Sequence, residues 1–63
     1  MTKEIQNIIE QEIEVLEKRL ADPGIRFTNT DFNNRLFGFL KGLKAVGAIT
    51  SEEISDIYID YSK

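Results

Sequence analysis

Apolar residues recur along this chain at helical intervals in three separate runs. In the first, Ile5, Ile9, Ile13, Leu16 and Leu20 follow at steps of four, four, three and four, the spacing of one helix face. This predicts a helix from about Thr2 to Ala21, with Thr2 as N-cap, Glu4 in the first turn and Lys18 and Arg19 in the last. Asp22-Pro23-Gly24 ends it, because Pro disfavours helix at the residue before it and Gly turns freely. The densest run is Asp31 to Val46, where Phe32, Leu36, Phe39, Leu40, Leu43 and Val46 share a face. The rest of the chain is expected to pack on this central helix. In the third run, Ser51 to Tyr61, the buried stripe is Ile54, Ile57, Tyr58 and Tyr61, and Glu52, Glu53, Asp56 and Asp60 form the wet face. The pattern predicts an all-α fold: a long N-terminal helix, a loop, a central helix and a short third helix. They make a three-helix, hairpin-like bundle, one small domain over residues 1–63.

The joints carry their own signals. Between the first two helices, Ile25 and Phe27 alternate with Arg26 and Thr28, the pattern of extended chain pinning two apolar side chains to the core. Thr28, Asn29, Thr30 and Asp31 all qualify as N-caps of the central helix. Asn29, Asp31 and Asn33 echo the start of a calcium loop, but Asn34 and Leu40 stand where its Gly and Glu belong. Gly47 closes the central helix. Thr50 and Glu53 then make a capping box, with Ile49 and Ile54 in the hydrophobic-staple positions.

Some residues fall outside the core stripes. Ile8 and Val15, seven apart, form a second strip on the first helix, with Glu12 between the strips. Either they pack under the loop or third helix, or they form a subunit interface. Gly38, Gly42 and Ala45 run along one side of the central helix, where the first helix is expected to pack closely. Phe37 points away from the core, alongside Asn33 and Lys44, and Ile59 lies off the third stripe. The candidate interaction residues are therefore Ile8, Glu12, Val15, Phe37 and Ile59.

Length and composition sharpen this. At 63 residues the chain buries a modest share of its surface and needs a staple. It has no cysteine and no histidine, which removes disulfides, thiolate chemistry and the commonest metal ligand and general base. A second copy of the chain is the expected staple, a two-fold homodimer hiding Ile8 and Val15, with Glu12 met by Arg35 or Lys41 of the other copy. No catalytic residue, metal or cofactor is expected, since the carboxylate pairs Glu10–Glu14 and Glu52–Glu53 lie on wet faces and no Gly-rich phosphate loop is present. A net charge of −3 gives no broad attraction for phosphate. No apolar run is long enough to span a bilayer and no signal-peptide core is visible, so the expected place is the cytoplasm.

The segment Leu36 to Ile54 resembles the SHOCT family through Leu36, Leu40, Leu43, Gly47, Ile49, Thr50, Glu52 and Glu53. That family consists of short helical segments at the C-termini of larger proteins, so the resemblance implies a role in oligomerisation. Beyond it, IYIDYSK departs from the basic, Leu-containing continuation of the family. The expected function is that of a non-enzymatic, regulatory protein–protein interaction protein that self-associates and binds or modulates another protein. The alternative is a nucleic-acid-binding transcriptional regulator of helix-turn-helix outline, its basic patch made by Arg26, Arg35, Lys41 and Lys44. Against it, the would-be recognition helix opens with Glu52, Glu53 and Asp56.

Overall fold

In the computed structural model, which describes residues 1–63, each of the three helices begins on a threonine. Thr2 caps α1 (Lys3–Ala21), its Oγ1 accepting from the Ile5 N–H at 3.2 Å. Thr28 caps α2 (Asn29–Ala45) and Thr50 caps α3 (Ser51–Tyr61), each in a reciprocal capping box. Thr28 wins over its three neighbours because Asp31, three residues on, closes the box. The Asp31 N–H donates to Thr28 Oγ1 at 3.1 Å and the Thr28 N–H to Asp31 Oδ2 at 2.9 Å. Thr50 and Glu53 repeat these bonds at 3.1 and 2.9 Å. The fold is the all-α, three-helix arrangement that the pattern predicts, with no strand.

α1 and α2 form an antiparallel pair, and α3 folds back along one side of it. The core is Ile9, Ile13 and Leu16 of α1, Phe32, Leu36 and Leu40 of α2, Ile49, and Ile54 of α3. Ile5, Leu20, Phe27, Leu43, Ile57 and Tyr58 pack around it, half-buried. Ile49 and Ile54 are both buried, as the staple requires. α2 ends on a left-handed Gly47, φ +78°. There the Ala48 N–H reaches the Leu43 carbonyl and the Gly47 N–H the Lys44 carbonyl, both at 2.9 Å, the bond pair of a Schellman turn.

Four apolar residues expected in the core are outside it or at its margin. Ile25 is exposed while Phe27 packs, because the link is bent rather than extended. The Phe27 N–H donates to the Ile25 carbonyl at 3.1 Å, a γ-turn about Arg26 that breaks the alternation. Val46 is 79% exposed, since it is the C-cap of α2 and the chain turns away at Gly47. Tyr61, in the last turn of α3, is exposed beside Glu10, Glu14 and Glu17. Phe39 is half-buried and stands outside the cluster.

Gly38 and Gly42 do not meet α1. Each lies two positions past a core leucine, Leu36 or Leu40, which at 3.6 residues per turn is the far side of the helix. A Cβ at either would touch nothing within 4 Å.

The molecule measures 36 × 19 × 18 Å. A compact chain of its mass would expose about 4,100 Å², whereas this one exposes 4506 Å². The excess reflects an elongated helical pair covered on one side only. No helix is long and apolar enough to cross a membrane.

Candidate protein-binding face on the first two helices

The position of α3 decides which surfaces are free. Lys63, just past α3, pairs with Glu17 at 3.0 Å and exchanges two hydrogen bonds with Asn33, at 2.7 and 3.2 Å. The rings of Tyr58 and Phe37 meet edge to face, 5.6 Å between centroids. Ile57, Asp60 and Tyr61 share a groove with Gln6, Ile9, Glu10 and Ile13. So α3 runs along the Glu10–Glu17 side of α1 and the Asn33–Phe37 side of α2.

Ile8 and Val15 lie about half a turn from Glu10 and Glu17, on the opposite side of the pair. They are 44% and 47% exposed, and α3 covers neither. On α2 the matching positions are Arg35, Phe39 and Val46, about half a turn from Asn33 and Phe37. One surface, facing away from α3, therefore carries Ile8, Val15, Phe39 and Val46. Glu12 is half-buried on the α2 side of the Ile8–Val15 strip. Leaving such side chains in water forgoes the transfer free energy of burial, and contiguous exposed apolar surface marks binding sites.

The five candidate residues are not brought together. Ile8, Glu12 and Val15 share the open face. Phe37 lies on the other side of α2, held edge-on by Tyr58, with the Lys41 ammonium 5.6 Å from its centroid. Ile59 is 76% exposed on the outer face of α3. Phe39 and Val46 complete the open face, and the sequence reading placed both in the core. Their signal was available: they are seven apart, as Ile8 and Val15 are. Lys41, turned to Phe37, is on the wrong side of α2 to meet a Glu12 reaching across this face, whereas Arg35 is on the right side.

Other grooves have a different character. Arg26 and Arg35 line one of about 430 Å³ with Phe27, Asp31 and Asn34. Lys41 is not part of it, so the four basic residues do not make one patch. Glu10, Glu14 and Glu17 line another of about 310 Å³ with Ile13 and Tyr61. No three carboxylates converge on a metal position. Two carboxyls have pKa values below the ordinary range, and both are caps. The Thr28 backbone N–H, with the Thr28 side chain, holds Asp31 down, and Arg35 adds to it. The Thr50 backbone N–H does the same for Glu53, helped by the amino group of Met1 at 3.2 Å. No family model, curated protein or solved structure matches the chain.

Proposed function

We propose that this chain is a non-enzymatic interaction protein, acting in the cytoplasm, that binds and modulates another polypeptide through the open face of α1 and α2. The observation that carries this is the apolar strip itself. Ile8, Val15 and Val46 stand exposed on the side away from α3, with the half-buried Phe39 on the same side. Glu4, Glu12, Arg19 and Arg35 edge the strip with charges of both signs, an apolar centre and polar rim such as protein interfaces have.

The nucleic-acid reading has one observation in its favour, the shared groove of Arg26 and Arg35. Asp31 in that groove, and Glu52, Glu53 and Asp56 at the start of α3, oppose it. The test is a photo-cross-linking residue at position 15, irradiated in the producing cell, with position 56 on α3 as control. A polypeptide adduct from position 15 alone is expected. Absence of any polypeptide adduct would refute the proposal, and a nucleic-acid adduct would replace it with the second reading.

A further inference from the structure

We infer that the second half of α3, Ile57–Tyr61, is a strap that opens while the rest of the fold stands, hinged at Ile54 and latched by Lys63. It lies on the side of the molecule away from Ile8 and Val15, so it is independent of what binds the open face.

The two ends of α3 are held by different means. At the start, Ile54 is buried in the core with Ile49, Thr50 and Glu53 close their capping box, and the Met1 ammonium pairs with Glu53 at 3.2 Å. Past Ile54 the burial fades. Ile57 and Tyr58 are half-buried, and Ile59, Asp60 and Tyr61 are exposed. No basic residue stands in the last turn of α3 to offset the negative end of its dipole. Asp60 shares its groove with Glu10 of α1, a like charge, and the ammonium of Met1 there is engaged by Glu53.

Lys63 supplies the hold at the other end. Asn33 Oδ1 accepts from the Lys63 N–H at 2.7 Å, and Asn33 Nδ2 donates to the Lys63 carbonyl at 3.2 Å. The Lys63 ammonium donates to Glu17 Oε1 at 3.0 Å and stands 5.0 Å from the centroid of the buried Phe32 ring. These are the three side-chain hydrogen bonds that join distant parts of the chain. The other six span two or three residues, and no backbone hydrogen bond links one helix to another. Nearly all the polar attachment of α3 to the helix pair is thus gathered on one residue beyond its last turn. Bonds between exposed groups are traded for water at small net cost, whereas Ile54 leaves the core only when the core itself comes apart. That difference lets the strap open first. Opening lifts Ile57 and Tyr61 off Ile9 and Ile13, with which they share a groove.

Amide hydrogen exchange, followed residue by residue by NMR in rising urea below the unfolding midpoint, tests this on the full wild-type chain, N33A and K63M. Core amides such as those of Leu16, Leu36 and Leu40 should exchange through whole-chain unfolding, with a steep urea dependence. The amides of Ile57 to Ser62 should be protected but exchange faster, with a shallow dependence, because their opening exposes little surface. N33A removes both bonds to the Lys63 backbone and should speed exchange in the strap by roughly fivefold or more. K63M removes the ion pair and the ring contact but keeps an apolar stem. Both lost partners are partly exposed, so the rise there should be roughly twofold to fivefold. Strap amides that share the opening free energy and urea dependence of the core in the wild type would overturn the inference. So would strap amides exchanging at unfolded-chain rates in the wild type, or a strap rate unchanged in either variant.

Discussion

Adding one methyl group to a glycine should have opposite effects at different points on α2. At Gly38 and Gly42 a Cβ would meet nothing within 4 Å, and both residues are in the helix interior. Ala there removes backbone freedom from the unfolded chain and displaces no neighbour, so each substitution should stabilise by about 0.5–1 kcal/mol. The pair should then contribute about 1–2 kcal/mol. For a chain of this size 1 kcal/mol moves Tm by roughly 4–8 °C, so the double variant should melt about 5–15 °C higher. Gly47 also has open space around its Cβ position, but its φ is +78°. A side chain in that left-handed conformation costs about 1–2 kcal/mol, so Gly47→Ala should lower stability despite the same reduction in unfolded freedom. Thermal melts followed by circular dichroism at two protein concentrations, tenfold apart, measure all three. If Gly38→Ala or Gly42→Ala destabilises at the lower concentration, the account of an uncovered outer face is wrong. A loss that appears only at the higher concentration would place another chain's backbone on that side of α2.

Leu36 is fully buried between the helices, so Leu36→Ala should cost about 2–5 kcal/mol. That is about half or more of the roughly 3–9 kcal/mol that a chain of this length has, and urea titration should find the midpoint lowered by a like fraction. Acid should destabilise the fold through its caps. Asp31 and Glu53 are more acidic when folded than their ordinary values of 3.8 and 4.5, so at low pH the unfolded chain holds more protons. The stability they contribute is complete above those ordinary values and is lost as pH falls through the lower native ones. Glu53→Gln, which removes the carboxylate that the Thr50 N–H holds, should flatten this decline in the urea midpoint between about pH 5 and pH 2, and an unchanged slope would refute the capping origin.

The parts of the fold set by residues close in sequence were legible in advance. α3 starts and stops where Thr50, Glu53 and the Ser51–Tyr61 stripe predict, and the α1 stripe lands in the core. Such signals depend on bonds or contacts between residues three or four apart. Burial is different. Periodicity says which residues share a face, and it does not say which faces another element covers. For that reason periodicity alone puts Gly38 and Gly42 against α1 and Phe39 and Val46 in the core, and the side that α3 takes decides otherwise. Likewise Ile8, Val15, Phe37 and Ile59 all stood off the stripes, yet only the docking of α3 separates Phe37, against Tyr58, from Ile8 and Val15, in the open. The Ile25 error was local: a γ-turn at Arg26 has no strong sequence mark.

The corner between α2 and α3 has a consequence for the order in which the chain acquires structure. The capping box of Thr50 and Glu53, the Schellman bonds at Gly47 and the Ile49–Ile54 staple all join residues no more than five apart. Closing loops that short takes little chain entropy, and contacts so local form on the fastest timescales open to a polypeptide. α1 has no such partner nearby, since its stripe waits for Phe32, Leu36 and Leu40 beyond the Asp22–Thr28 connection. During synthesis α1 nevertheless leaves the ribosome before α2 and α3, with both its core stripe and its Ile8–Val15 strip bare. For that interval the core stripe of α1 precedes the two helices that cover it, and only its charged side is suited to the water around it.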